Sequence, residues 1–407
     1  MSIKALFRFS LLAALFGSCG EPDADVSEGV TADVVANVAV GPAMAQVTAE
    51  QLKANRGFYA EGDLEIEWIR SIRASGFTGL SGIQGDMNGI LLDGGLKAWV
   101  VLDPLGEDPV ISLVDSKKPM TRYWLDTTEP VSVCMVVCGG EALMTSEFGR
   151  MELANDEIIW TRIKPGVKWS GDMWRNPENR DVWVGLPKMP RERSAIIRVH
   201  PDYTISKVTD DLVLGITKQA FIGGRLDSYS NANEETRILA SSPIPMNGEI
   251  LEFNTDGELL RRIQGTDGEF NFGYSFDITK GGRFLAVASE DSVADDAKDR
   301  LYLHDLDGDS EPIELKPRVE QKVRFGRVQI WENENWNLVA ILGRTPPRVD
   351  LYDIPSGIWR GAISIPAKGA DAVGNYALVL EPDHIAITVF RQIEKYPTVH
   401  ILALHSK

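Results

Sequence analysis

The sequence predicts an all-β protein whose body is a single β-propeller, with seven blades favoured over six. Three observations predict this fold. A short alternating strand followed by a polar turn recurs every 45 to 54 residues after residue 63. A second hairpin precedes the clearest copies of that strand, so that each repeat supplies the four short antiparallel strands of a propeller blade. Long amphipathic helical patterns are missing, which excludes βαβ folds.

The recurring strand occurs seven times. Each of the first six copies leads through a tight turn into another β-rich run. Asp256-Gly257 and Asp307-Gly308 supply the residues that tight hairpins need. The seven copies are Trp99–Pro104, Met151–Asp156, Ile196–Pro201, Ile250–Thr255, Leu301–Leu306, Val349–Ile354 and Val399–Leu404.

The two ends of the body fit a closed ring. The seventh repeat stops at Leu404, after its third strand, and an unpaired strand, Leu64–Ile72, precedes the first repeat. Pairing Leu64–Ile72 into the last blade would close the ring and remove an exposed edge. Six blades is the alternative, because the first repeat is short and its first hairpin is poorly marked.

The first 19 residues have the layout of an export signal. Lys4 and Arg8 give a positive start, and an apolar run over residues 11–16 follows. This run is far shorter than the roughly 20 residues that span a membrane. The layout is therefore that of a secretory signal peptide.

The end of that segment, Leu15–Cys19, resembles the lipobox of bacterial lipoproteins. The resemblance implies that Cys19 is acylated and becomes the first mature residue, although Phe16 stands where the family usually has an aliphatic residue. Gly20, rather than Asp, follows the cysteine, which favours the outer membrane; the periplasmic or surface side stays open. An ordinary cleaved signal is the alternative.

The chain therefore divides into three parts. Residues 1–19 are the signal peptide, residues 20–62 an acidic, mostly unstructured spacer, and residues 63–407 the propeller. One short helix is expected from Thr48, because Thr48 and Gln51 have the spacing of a capping box. The body resembles bacterial propeller lipoproteins of the TolB-like and NHL-like groups. That resemblance rests on blade rhythm and implies a fold and a cell-envelope setting, but no reaction.

Charge and cysteine content exclude several classes. The formal charge of -17 argues against nucleic-acid binding, which needs a basic footprint. Three cysteines cannot form a disulfide framework. Cys134 and Cys138 on one strand would lie about 13 Å apart at about 3.3 Å per residue, beyond the reach of a disulfide.

Strings that mark catalytic sites are absent: the sequence has no GxSxG, HExxH, GxGxxG or P-loop. Of its five histidines, His200, His304 and His400 lie in or beside third strands, which favours packing or solvent positions over a metal cluster. The aspartates at 305, 307 and 309 are interpreted as a hairpin turn, because Ser310 stands where a calcium loop needs Gly. No cofactor is predicted, and Ca²⁺ in the acidic loop 290–299 or in the central funnel is the alternative.

Basic residues recur in the loops from second to third strands, which open on one face of a propeller. Guanidinium groups converging there would bind carboxylate or phosphate, although pairing within each blade is the competing interpretation. The predicted anion- or partner-binding face comprises Arg150, Arg191, Arg193, Arg344, Arg348 and Arg391.

Two functions follow. The first is a cell-envelope lipoprotein that acts as a binding propeller, whose partner is an envelope protein or a small anionic ligand and which meets the membrane only through its lipid anchor. The alternative is an enzyme, such as a metal-dependent, lactonase-like hydrolase or a lyase, with its site in the central funnel. The candidate oxygen ligands on innermost strands are Asp86, Asp172, Asp277 and Asp371.

Overall fold

The computed structural model describes the backbone of most of the body. The described residues are 49–72, 83–86, 89–93, 97–102, 110–115, 120–126, 132–138, 146–154, 157–167, 173–176, 178–186, 194–202, 204–211, 213–215, 222–242, 248–265, 272–290, 299–308, 310–316, 325–344, 347–364, 372–380, 383–391 and 398–407.

These residues form one short helix, α1 (Ala49–Ala54), and 29 strands. The strands up to the third sheet are β1 (Tyr59–Gly62), β2 (Leu64–Ile72), β3 (Ile83–Asp86), β4 (Gly89–Asp93), β5 (Lys97–Leu102), β6 (Val110–Asp115), β7 (Met120–Asp126), β8 (Ser132–Cys138), β9 (Ser146–Ala154), β10 (Glu157–Val167), β11 (Met173–Arg175), β12 (Val182–Leu186), β13 (Ala195–Val199) and β14 (Ile205–Asp210).

The remaining strands continue the same order to the end of the chain. They are β15 (Leu226–Ser230), β16 (Thr236–Ser242), β17 (Glu249–Asn254), β18 (Leu259–Gln264), β19 (Ser275–Ile278), β20 (Phe284–Glu290), β21 (Asp299–Asp305), β22 (Ile313–Glu314), β23 (Phe325–Glu332), β24 (Asn337–Arg344), β25 (Pro347–Asp353), β26 (Trp359–Ser364), β27 (Ala372–Leu380), β28 (His384–Arg391) and β29 (Thr398–Ser406).

The described strands assemble into seven antiparallel sheets, each built from strands that follow one another in the chain. In chain order the sheets are β3–β6, β7–β10, β11–β14, β15–β18, β19–β22, β23–β26 with β1 added, and β27–β29 with β2 added. The first strands of successive sheets contact one another in order, and β27 contacts β3. The predicted β-propeller is confirmed, with the first strands innermost.

The predicted third strands and the closing strand are found in place. Each of the seven sequence copies overlaps the third strand of a sheet: β5, β9, β13, β17, β21, β25 or β29. Strand β2 coincides with the predicted Leu64–Ile72 and pairs with β29, from Leu64 opposite Ser406 to Ile72 opposite Val399. The N-terminal strand therefore completes the last sheet.

The predicted boundary of the spacer at residue 62 is too late. Within residues 20–62, α1 matches the expected helix, but β1 belongs to the folded body because it pairs with β26 as a fifth strand of the sixth sheet. Phe58, just before β1, is fully buried. Gly62 has φ +75°, and a Cβ there would lie 2.3 Å from the carbonyl oxygen of Arg360. Close backbone packing thus fixes residues that have no clear alternating pattern.

The hydrophobic core lies between neighbouring sheets. Leu303 of the fifth sheet packs in one buried cluster with Val328 and Ile341 of the sixth. Trp183 of the third sheet and Phe253 of the fourth stand with ring centroids 6.1 Å apart. Each such fully buried side chain contributes roughly 1.5–3 kcal/mol, so the contacts between sheets hold the innermost strands in place.

Two smaller expectations concern a turn and a membrane span. At the end of β21 the Oδ1 of Asp305 accepts the N–H of Asp307, and the carbonyl of Asp305 accepts the N–H of Gly308, which confirms a hairpin turn.

Among the residues described, no helix is long and apolar enough to cross a bilayer. The predicted signal peptide, residues 1–19, lies outside the described residues.

Candidate functional site

The innermost strands β15 and β19 each carry an aspartate at the same place. Asp227 on β15 and Asp277 on β19 are 50 residues apart, which is one repeat length. Each Oδ1 accepts the N–H of the following residue, Ser228 at 2.8 Å and Ile278 at 2.9 Å. The repeat therefore places two carboxyl groups in matching conformations on adjacent strands. We call Asp227, Asp277 and the neighbouring Arg225 the channel cluster, because innermost strands line the central channel of a propeller.

The second carboxyl oxygens of the two aspartates differ. Asp277 Oδ2 accepts the N–H of Ile330 on β23 at 2.7 Å. Asp227 Oδ2, in contrast, is buried without a hydrogen-bond partner among the described residues.

Arg225 connects the two strands. Its Nη2 lies 3.7 Å from Asp227 Oδ2, too far for a hydrogen bond, and its Nε donates to the carbonyl oxygen of Phe276 at 3.3 Å. The backbone N–H of Arg225 donates to Ser241 Oγ at 2.7 Å, which holds the start of β15. The side chains of Arg225 and Asp227 are 24% and 22% exposed. Both side chains are thus partly open to solvent, although the Oδ2 atom of Asp227 is itself buried.

Burial raises the pKa of Asp227 well above its usual range, and the nearby charge of Asp277 raises it further, while Arg225 acts in the opposite direction. Two interacting carboxyl groups titrate as a pair. The channel cluster therefore keeps one proton to a higher pH than an isolated aspartate would.

The four aspartates predicted as metal ligands have different outcomes. Asp277 lies on an innermost strand, as expected. Asp86 ends β3, but its side chain, like Asp172 and Asp371, lies outside the described residues. In the part of the chain that is described, no three His, Cys, Asp or Glu side chains are grouped to hold a metal ion. Two carboxyl groups beside an arginine fall short of the six to eight oxygens that Ca²⁺ prefers, so the predicted calcium gains no support from this cluster.

The predicted arginine face requires one correction. Arg348 is buried, and its Nε and Nη2 donate to the two carboxyl oxygens of Asp350 at 3.0 and 2.7 Å. Its Nη2 also lies 3.6 Å from Glu61 Oε2. These carboxylates occupy the guanidinium fork, so that Arg348 is not available to an external anion. The side chains of Arg150, Arg191, Arg193, Arg344 and Arg391 lie outside the described residues, and the face they would form stays a prediction.

The histidines and cysteines lie where the strand pattern places them. His304 is buried in β21, and burial lowers its pKa to about 4, as expected of a packing position. Cys134 and Cys138 lie in the single strand β8. Sequence reasoning missed Asp227 and Arg225, although the 50-residue offset from Asp227 to Asp277 was a usable signal.

Comparison with known proteins identifies the fold only. No known protein family matches the chain, and no curated protein matches it by sequence. The Dos1 propeller superposes with a TM-score of 0.50 at 10% identity, covering 77% of this chain and 74% of that one. The polysaccharide lyase Uly1 superposes with a TM-score of 0.51 at 8% identity, covering 83% and 92%. Both similarities show that the chain has the β-propeller fold.

Proposed function

We propose that this protein is a ligand-binding β-propeller held at the cell envelope by acylated Cys19, with a site for a small polar ligand at the channel cluster. The observation that carries the proposal is the buried, unpartnered Oδ2 of Asp227. A buried polar atom without a partner costs about 1–3 kcal/mol. Native proteins contain few such atoms, and each calls for an explanation such as strain, catalysis or an unseen partner. A ligand that donates a hydrogen bond to this oxygen, once the groups that cover it move aside, supplies the missing partner.

The charges of the channel cluster define the class of ligand. Arg225 is positive, Asp277 is negative, and Asp227 retains a proton more readily than an ordinary aspartate. The cluster therefore carries little net charge while offering both donors and acceptors. A neutral molecule rich in hydroxyl or amide groups fits it better than an anion or a metal cation. We propose separately that the arginine face binds an anionic ligand or a protein partner.

An enzyme in the funnel is the second candidate, and the same pair of carboxyls favours it. Two carboxyl groups whose environments separate their pKa values can act as acid and base. Asp227 would hold the proton and act as the acid, and Asp277, whose oxygens accept the N–H groups of Ile278 and Ile330, would be the second carboxyl group. A binding protein releases its ligand unchanged, whereas an enzyme releases a product of different mass.

The test uses the full chain, purified in mild detergent from the envelope of its natural host. Native mass spectrometry of the wild type is expected to show a bound small molecule, which Asp227→Ala loses and the exposed control Asp256→Ala keeps. A panel of neutral sugars and polyols is expected to raise the melting temperature of the wild type but not of Asp227→Ala. Absence of both effects would overturn the binding site, and conversion of a panel member would favour the enzyme.

The lipid anchor is tested separately. Metabolic labelling with a radioactive fatty acid is expected to mark the wild type and not Cys19→Ala. Equal labelling of the two would reject Cys19 as the acylated residue, and no labelling of either would reject the anchor.

A further inference from the structure

One end of the third sheet brings an aspartate, a histidine and a serine into a hydrogen-bonded line. His200 Nδ1 lies 3.0 Å from Asp181 Oδ1, and His200 Nε2 lies 2.9 Å from Ser206 Oγ. Asp181 immediately precedes β12, His200 immediately follows β13, and Ser206 lies in β14. Because β13 is antiparallel to both neighbours, these three positions meet at the same end of the sheet. We call them the relay.

Burial decreases along the relay from the aspartate to the serine. The Asp181 side chain is 6% exposed and that of His200 30% exposed, while Ser206 is exposed. The backbone of Asp181 is held by its N–H, which donates to Asn179 Oδ1 at 2.9 Å, and by its carbonyl, which accepts the N–H of Asn176 at 2.8 Å. The carboxylate is thus fixed, the imidazole is held at both nitrogens, and the hydroxyl faces solvent.

These contacts set the direction of the hydrogen bonds. A carboxylate only accepts, so the neutral His200 ring carries its proton on Nδ1 and donates it to Asp181. The lone pair on Nε2 then accepts the hydroxyl proton of Ser206. A serine bonded to a base that is itself oriented by a carboxylate has the arrangement that activates a nucleophile, and it is recognised by geometry rather than by fold or chain order.

An arginine lies beside the carboxylate of the relay. Arg198 stands directly opposite Ser206 across the two strands, so their side chains lie on the same face of the sheet. Arg198 is anchored at the seam with the fourth sheet, where its Nη2 donates to the carbonyl of Thr255 at 2.7 Å. Its Nε has no hydrogen-bond partner among the described residues and lies 3.7 Å from Asp181 Oδ2. This ion pair helps to hold Asp181 in place behind His200.

We propose that Ser206 is a reactive serine that accepts an acyl group from small activated carboxylic esters. Its Oγ attacks the carbonyl carbon while His200 Nε2 takes the hydroxyl proton. The carbon–oxygen bond to the alcohol then breaks, the leaving oxygen receives the proton from His200, and the acyl group stays on Ser206. Water attacks the acyl–serine ester in the same way, releases the carboxylic acid and restores the hydroxyl.

The seventh sheet supplies a matched control. Ser71 is also exposed and bonded to a histidine, His400, across neighbouring strands, with Ser71 Oγ 2.9 Å from Nδ1. There the serine oxygen accepts the indole N–H of Trp68 at 3.2 Å and meets the other ring nitrogen of its histidine. A serine that is merely exposed and bonded to a histidine would therefore react equally at both places.

The experiment treats the full chain with a fluorophosphonate probe and locates the adduct by peptide mass spectrometry. The expected result is one adduct on Ser206, lost in Ser206→Ala, kept in Ser71→Ala, and formed about 10²-fold more slowly in His200→Gln, which removes the general base. Asp181→Asn is expected to slow it as well. Unchanged circular-dichroism melting curves would show that the exposed substitutions leave the fold intact.

Three results would overturn the proposal: no adduct on the folded wild type, equal labelling of Ser71 and Ser206, or an equal rate in His200→Gln. Release of p-nitrophenol from p-nitrophenyl acetate gives an independent measure of the acyl step, and it too should disappear in Ser206→Ala. The relay lies in the third sheet, whereas the channel cluster lies in the fourth and fifth sheets. Either proposal can consequently fail without the other.

Discussion

Two arginine–carboxylate clusters differ in whether each carboxyl oxygen has a partner. In the outer cluster, where β1 joins the sixth sheet, Arg348 meets both oxygens of Asp350 and lies beside Glu61. Trp359 Nε1 donates to Asp350 Oδ1 at 2.9 Å, and Ser364 Oγ donates to Glu61 Oε1 at 3.1 Å. These partners offset the cost of taking the charges out of water.

The channel cluster contains the same residue types but leaves one oxygen without a partner. Arg225 stands 3.7 Å from Asp227 Oδ2 instead of bonding to it, and the neighbouring Asp277 adds a like charge. The outer cluster thus attaches a strand, whereas the channel cluster keeps unused hydrogen-bonding capacity on an innermost strand. The difference suggests that pairing, rather than burial or residue type, separates structural charges from functional ones.

Removing the charge of Arg348 should give the largest effect. Arg348→Met leaves Asp350 and Glu61 buried without their cation, and we expect a loss of about 3–5 kcal/mol in the free energy of unfolding. Urea unfolding measures it. The control Arg360→Met removes a half-exposed arginine that lies 3.7 Å from Asp63 and should cost less than about 1 kcal/mol. Similar losses in the two variants would contradict the structural role of the outer cluster.

His304 tests burial without a charged partner. Burial lowers the pKa of His304 to about 4 from an ordinary value of 6.5, so the folded protein binds this proton less readily than the unfolded chain. Its contribution to stability is present at neutral pH and is lost as the pH falls from about 6.5 to about 4. Between pH 7 and pH 4.5 the free energy of unfolding of His304→Leu should therefore fall by about 2–3 kcal/mol less than that of the wild type. Equal pH sensitivity in urea unfolding would contradict the assignment.

The fold could be predicted from the sequence because its signals are local. Strand alternation and turns such as Asp256-Gly257 identify each third strand. The last repeat lacks a fourth strand, which predicts that Leu64–Ile72 pairs with it. Strand β1 escaped because Tyr59–Gly62 is too short to show alternation, and its pairing depends on the distant β26.

The candidate site was only half predictable for a similar reason. Asp277 stands out on an inner strand, but its contact with Asp227 depends on how two blades pack. The missing partner of Asp227 Oδ2 likewise depends on which backbone groups the neighbouring blade brings near it. The residue pattern within one repeat does not indicate contacts between blades. For the same reason it does not indicate that Arg348 is buried.

Neutralising Asp227 should stabilise the protein. The raised pKa of Asp227 means that the folded state holds this proton more tightly than the unfolded chain. Stability therefore falls as the pH rises from the ordinary aspartate range through the higher folded-state pKa. Asp227→Asn removes this dependence and should gain about 1–3 kcal/mol at pH 8, measured by urea unfolding at several pH values. The exposed control Asp256→Asn should change little, and destabilisation by Asp227→Asn at pH 8 would contradict the prediction.

The smallest expected effect is the coupling between the two carboxyls of the channel cluster. Asp277→Asn removes the like charge beside Asp227 but also weakens the acceptors of the Ile278 and Ile330 N–H groups, so its own effect should be small. The gain from Asp227→Asn should shrink by about 1 kcal/mol when Asp277→Asn is already present. Unfolding of the four proteins of this double-mutant cycle measures the coupling. Effects that add within about 0.5 kcal/mol would mean that burial alone raises the pKa of Asp227. Burial would then shift the pKa of Asp227 as it shifts that of His304, without a contribution from a neighbouring charge. The channel cluster and the outer cluster would in that case differ in solvent access and not in the pairing of their charged groups.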